Sequence, residues 1–219
     1  MDNLVKICGL STPETLDAAL SAGADMVGFV RFPKSPRHVS LNLGHRLSLQ
    51  AKGRAQRVVL LVNPGDEDLA QAVEAINPDL IQLHGSESPA RVAEIRSMVK
   101  RPVMKALGVA ESSDLQALTP YSDADHILLD AKPPRTTEAL PGGNGVSFDW
   151  GLLNGLDRKV SFMLSGGLNP DNVAEAIRLT KTQAVDVSSG VEIGPGLKDP
   201  ARIEAFIRAA RTAFAAARH

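Results

Sequence analysis

Aromatic residues are scarce in this chain: Phe, Trp and Tyr together make up 4 % of its 219 residues. The core must therefore be aliphatic, built from Val, Ile, Leu and Ala. Cysteine occurs once, as Cys8, so no internal disulfide is possible, which fits a reducing compartment. No apolar run approaches the roughly 20 residues that a membrane-spanning helix needs; Val58–Val62 is among the longest. The start, Met1-Asp2-Asn3-Leu4-Val5-Lys6, lacks the basic and apolar segments of a signal peptide. An excess of charge of one sign is missing too: the formal net charge is −1, with no basic block and no acidic tail. Neither nucleic acid nor a membrane is an expected partner. A small anionic ligand stays open, because one site can be cationic in a neutral protein. The expected compartment is the cytoplasm.

What the chain does contain is a regular alternation. Eight short apolar runs read as strands: Val5–Cys8, Met26–Val30, Val58–Val62, Leu80–Leu83, Val103–Lys105, His126–Asp130, Ser161–Leu164 and Ala184–Val187. Between them lie segments of helical periodicity. Leu69, Ala72, Val73 and Ile76 share one face of Asp66–Ile76, and Ile203, Phe206, Ile207, Ala210 and Phe214 share one face of Asp199–Ala216. Thr12-Pro13, Ser88-Pro89, Asn169-Pro170 and Asp199-Pro200 each place a capping residue before a proline, which predicts four helix starts. Alternating strands and helices imply parallel strands with crossover helices. The expected fold is one α/β domain over 1–219, a (β/α)8 TIM barrel with outer helices. An open doubly wound sheet is the structural rival, but no G-x-G-x-x-G follows the first strand. A weak repeat, AGADMVGFV, INPDLIQLH and SDADHILLD, introduces strands two, four and six. Lys132–Ser147, with Pro133, Pro134, Pro141 and Gly142-Gly143-Asn144-Gly145, is the longest expected loop.

Barrel active sites lie at the C-terminal strand ends. Cys8, Arg31, His84, Asp130, Ser165 and Ser188 end or follow the runs. Alternation puts Lys6 with Cys8, Leu128 with Asp130, and Asp186 with Ser188 on common faces. Cys8 reads either as a small buried hydrophobe or as a base or nucleophile. Asp130, after three apolar residues, is either a cap or a partner for Lys132 or Arg135, or a functional residue. Ser165-Gly166-Gly167 and Ser188-Ser189-Gly190 place small residues between a strand and the next helix. Their free N–H groups suit a phosphate, where barrels often bind one. Arg37, near Lys34 in FPKSPR, reads as a carboxylate fork or as a solvated charge. His84 reads as polar lining or a satisfied buried histidine. No cluster of His, Cys, Asp or Glu has metal-ligand spacing, so no metal is expected.

Taken in order, KICGL, FPKSPR, QLHG, LLDAK, GGNGVSFDW, LSGGLNPDNV, VDVSSGVE and PGLKD resemble the phosphoribosylanthranilate isomerase family over nearly the whole chain. The resemblance implies a (β/α)8 isomerase of tryptophan biosynthesis, working without a cofactor on a phosphorylated small molecule as a monomer or homodimer. It implies an Amadori rearrangement with Cys8 as general base and Asp130 as general acid. It further implies that Arg37 holds the anthranilate carboxylate, that Gly166, Gly167, Ser188 and Ser189 line the phosphate site, and that Asp186 orients the anthranilate amine. Lys6 or nearby dipoles are expected to lower the Cys8 pKa. Two departures stand out. Val146 replaces the lysine of a GGxGK pattern, and Arg31 replaces an apolar or aromatic residue. Two rivals remain: a histidine-pathway isomerase barrel, which resembles two fused half-barrels with an aspartate on strand one, and a sugar-phosphate-binding barrel with no catalytic role.

Overall fold

The computed structural model describes residues 3–121, 123–132, 142–143, 145, 147–156 and 160–217. Eight parallel strands close into a barrel in chain order. They are β1 (Leu4–Cys8), β2 (Met26–Val30), β3 (Gln56–Leu61), β4 (Leu80–Leu83), β5 (Val103–Val109), β6 (His126–Ala131), β7 (Phe162–Leu164) and β8 (Ala184–Val187). The rival open sheet is thereby excluded, since β8 hydrogen-bonds back to β1. The main correction to the strand boundaries is β5, which runs four residues past Lys105 to Val109.

The α-helices are α1 (Pro13–Ser21), α2 (Leu41–Ala51), α3 (Asp66–Ile76), α4 (Pro89–Val99), α5 (Val173–Thr180) and α6 (Pro200–Ala216). Thr12, Ser88 and Asp199 cap the helices that follow them, each side chain accepting a first-turn N–H. Asn169-Pro170 does not start a helix. Asn169 and Asn172 instead bond each other's backbone N–H groups in a turn, and α5 begins at Val173. The crossovers after β5 and β6 carry 3₁₀ segments, Ser112–Tyr121 and Trp150–Gly155. The first buries no residue fully, and the second buries only Leu153. A hairpin, β9 (Glu192–Gly194) and β10 (Leu197–Lys198), follows β8. Most of the Lys132–Ser147 loop, with Val146 and Arg135, lies outside the described residues.

Strand alternation sorts the core into two parts. Outward residues such as Val5, Ile7, Val27, Phe29 and Leu129 pack beneath the helices. Met26, Val58, Leu80, Met104, Leu128 and Met163 form a separate cluster inside the barrel. The weak repeat has a physical cause. Its aspartates, Asp25, Asp79 and Asp125, each accept the backbone N–H of the preceding odd-numbered strand, at Val5, Arg57 and Val103. Each is also gripped by an arginine: Arg211, Arg57 and Arg96 respectively. These contacts pin the barrel's N-terminal end and leave the opposite mouth free of them.

Candidate active site

Cys8 and Asp130 both face inward and line one pocket of about 490 Å³ at the C-terminal mouth, with Arg37, His84, Asp186 and Ser188. β1 brings Cys8 and β6 brings Asp130, as the alternation required. Gly28 sits beside Cys8 in the ladder, and a Cβ there would lie 2.9 Å from Sγ. Glycine at this point leaves the thiol its room. Below Cys8, Lys6 is completely buried, with Nζ 2.8 Å from Asp186 Oδ1. Burial alone would lower the Lys6 pKa, but Asp186 and the thiol outweigh it and raise it. Burial pushes the Cys8 thiol above its ordinary value. Lys6 works against this, Asp186 works with it, and Lys198 works against it. The expectation of a lowered Cys8 pKa is therefore corrected: desolvation of the thiolate at a closed barrel end exceeds the help of two lysines, because Asp186 already neutralises the nearer one.

Asp130 is 6 % exposed and is not paired with Lys132, which binds Asp114 instead. Its Oδ1 accepts the Ala131 N–H at 2.9 Å, and its Oδ2 lies 3.0 Å from His84 Nε2. Asp186 uses both oxygens, accepting from Lys6 at 2.8 Å and from Ser165 Oγ at 3.3 Å.

Arg37 is buried, so the solvated-surface reading fails; Lys34 is exposed. Arg37 donates Nε and Nη2 to the two oxygens of Glu192, each at 2.8 Å, and Nη2 to the Gly143 carbonyl at 3.3 Å. Glu192 also receives Lys198 Nζ at 2.6 Å. Lys198 in turn reaches the Ser188 carbonyl and hydroxyl, at 2.9 and 3.2 Å. Burial alone would raise the Glu192 pKa, but Arg37 and Lys198 outweigh it and lower it. The Lys198 pKa is lowered by burial, which Glu192 opposes and Arg37 reinforces. Two cations thus face one carboxylate, leaving a net positive corner that suits an anion. Arg37→Ala is expected to cost about 1.5–3 kcal/mol of substrate or transition-state binding. Sequence reasoning expects no effect on the fold, and the buried pair alters that. Lys198 still faces Glu192 in the variant, so a lowered melting temperature is expected rather than unfolding. Unaltered kcat/KM would confine Arg37 to bracing Glu192. Arg31, the other departure, pairs through Nη1 with His38 Nε2 at 3.1 Å.

Gly166, Gly167, Ser188 and Ser189 line a second, adjoining hollow of about 370 Å³. The Gly166 and Gly167 amides make no hydrogen bond among the described residues. The Asn172 amide holds the Gly167 carbonyl at 3.0 Å and fixes the loop. A Cβ on Gly190 would fall 1.8 Å from the Leu168 carbonyl oxygen, so the two loops meet only because that residue is glycine. α5 starts too late for its dipole to aid this hollow directly. The amides are what the loops offer an anion.

The family model described as N-(5'phosphoribosyl)anthranilate (PRA) isomerase matches residues 5–209. The chain belongs to this family. An N-(5'-phosphoribosyl)anthranilate isomerase of Azorhizobium caulinodans is 58 % identical over 215 residues, covering 98 % of this chain and 94 % of that protein. A crystal structure of phosphoribosylanthranilate isomerase from Thermotoga maritima has a TM-score of 0.86 at 39 % identity, over 97 % of this chain and 100 % of its own. Another, in complex with reduced 1-(o-carboxyphenylamino)-1-deoxyribulose 5-phosphate, has a TM-score of 0.83 at 36 % identity, with the same coverage. Against this phosphoribosylanthranilate isomerase framework, sequence reasoning missed the partners. Glu192 and Lys198 lie in the quoted VDVSSGVE and PGLKD, but nothing in the sequence couples Glu192 to Arg37, 155 residues away. Gln82, in QLHG, also passed unnoticed. Among the described residues, no group of three or more His, Cys, Asp or Glu is arranged to hold a metal, and no helix is long and apolar enough to cross a membrane.

Proposed function

We propose that this chain isomerises N-(5-phosphoribosyl)anthranilate to 1-(2-carboxyphenylamino)-1-deoxyribulose 5-phosphate in tryptophan biosynthesis, as one barrel domain over 1–219 acting in the cytoplasm. The observation that carries the reading is the pairing of Cys8 and Asp130 in one pocket, between the Arg37 corner and the Gly166–Ser189 hollow. The family match gives the histidine-pathway rival no support.

In this mechanism the phosphate binds the amides of Gly166, Gly167, Ser188 and Ser189, and the carboxylate meets Arg37. The ribose is thereby fixed between acid and base, and such positioning contributes on the order of 7–11 kcal/mol in favourable cases. Asp130 gives its proton to the furanose oxygen. The C1′–O bond breaks as the amine lone pair forms the Schiff base, oriented by Asp186. The Cys8 thiolate then takes the C2′ proton, and the electron pair left behind gives the enolamine. The enolamine loses its hydroxyl proton, gains one at C1′ and becomes the ketone. Every step moves only protons and electron pairs within the substrate, so acid and base suffice. The protein is proposed to work as a monomer or a homodimer; a relative from Thermotoga maritima is described as dimeric.

The test is turnover of enzymically generated phosphoribosylanthranilate, followed as loss of anthranilate-type fluorescence. Turnover is expected in full after chelation and extensive dialysis, with inorganic phosphate a weak competitor. No turnover, where a known isomerase is active, overturns the reading.

A further inference from the structure

Asp130 is held through a chain of two further side chains. His84 Nε2 lies 3.0 Å from Asp130 Oδ2, and His84 Nδ1 lies 2.9 Å from the Gln82 side-chain amide. Gln82 and His84 stand two residues apart at the end of β4, on the inward face, and reach across to β6. Gln82 is completely buried. The far atom of its amide, Oε1, has no hydrogen-bond partner among the described residues. A buried polar atom left unpaired is costly and calls for an explanation.

The two ends of an amide are opposite in hydrogen bonding and almost equal in shape. With nitrogen toward His84, Nδ1 accepts, the neutral imidazole carries its proton on Nε2, and it donates to an Asp130 carboxylate. With oxygen toward His84, Nδ1 carries the proton, and Nε2 accepts from a protonated Asp130. The far end of Gln82 has no partner to favour either orientation, so both remain open. A side chain anchored at both ends would have fixed one of them.

We propose that Gln82 and His84 are positioning residues that hold Asp130 in both protonation states its role requires. Turning the amide and exchanging the imidazole tautomer let them follow the Asp130 proton. The exchange adds no net proton to the imidazole: one proton leaves Nδ1 for water and one arrives from water at Nε2, or the reverse, while the pocket is open between turnovers. The proton delivered to the furanose oxygen remains the one on Asp130. Among the described residues, the other charged and titratable groups lining this pocket are Cys8 from β1, Arg37 from the loop after β2, and Asp186 from β8. Lys132, next along β6, is occupied by Asp114.

The inference rests on Asp130 being the acid, and the experiment separates the two. Gln82→Met and His84→Asn are each made alone and in the Asp130→Asn background, with melting temperatures checking the fold. Each alone is expected to lower kcat, His84→Asn by about 10–100-fold, the effect of one lost hydrogen bond to a charged group, and Gln82→Met by about 2–10-fold, the effect of one lost neutral bond, with little change in KM. In the Asp130→Asn background neither should lower it further. Nitrogen-15 spectra of the unmodified enzyme should show His84 with its proton on Nε2 while Asp130 is a carboxylate, and Gln82→Met should mix the tautomers. Unchanged kcat in both variants, equal losses in both backgrounds, or an Nδ1 proton facing the Asp130 carboxylate would each overturn the inference. Near-normal turnover of Asp130→Asn alone would instead overturn the acid assignment on which it rests.

Discussion

Cys8→Ala is expected to slow turnover by roughly 10²–10⁴-fold or more, the span of a lost general base, with KM changing far less. The thiol is the group on β1 that lines the pocket with a removable proton, although it also packs against Val30 and Leu60. Cys8→Ser should be poor as well, since a hydroxyl is far too weak a base. The pH profile carries a more particular signature. Burial raises the Cys8 pKa, so the free enzyme holds mostly thiol near neutrality. The active form needs thiolate and protonated carboxyl together, and carboxyls titrate below buried thiols. Between the two breaks, each gain of thiolate is matched by a loss of protonated carboxyl, and kcat/KM is flat. Above the thiol's titration only the loss continues, so the alkaline break reports Cys8 although Cys8 is the base. That break should lie above the ordinary thiol value of about 8.5 and vanish in Cys8→Ala. Near-normal turnover of the variant would return Cys8 to a packing role.

Asp130→Asn should slow turnover by a comparable factor, roughly 10²–10⁴-fold or more. The substitution is nearly isosteric, and an asparagine can still accept the Ala131 N–H and face His84. What it cannot do is deliver a proton to the furanose oxygen. Substrate should therefore still bind, and the loss should appear in kcat. The alkaline break that reports Cys8 should persist, because the variant keeps its base. A variant whose rate stays near normal would mean that the acid has been assigned to the wrong residue.

The barrel was legible in the sequence because strand and helix periodicities alternate without interruption and because three of four cap-proline pairs act locally. At Asn169-Pro170 a first turn does form, with the Val173 N–H on the Asn169 carbonyl, but it does not continue directly, and α5 begins only at Val173. Strand parity placed Cys8 and Asp130 correctly, since alternation needs no knowledge of distant residues. What strand parity leaves open is pairing. Glu192 gripping Arg37, Lys198 gripping Glu192, and His84 reaching Asp130 depend on where separate strand ends and the β9–β10 hairpin come to rest. The direction of the Cys8 shift was lost for a similar reason. Lys6, two residues away, promised a lower pKa, but the aspartate that neutralises it is 180 residues distant.

The two 3₁₀ crossovers flank β6 on both sides in the chain, and one buries no residue fully. Helices that bury an apolar stripe raise the free energy of local opening, and 3₁₀ segments with at most one fully buried residue add less. The acid therefore rides on a strand whose neighbouring 3₁₀ segments pack Leu115, Leu118, Trp150 and Leu152 only partly buried against the core, while the base rides on β1, beside β8 and the long α6. The two halves of the chemistry differ in mechanical depth. Local openings are then expected to reach Asp130 before Cys8, which stays enclosed beneath α6 and beside β8.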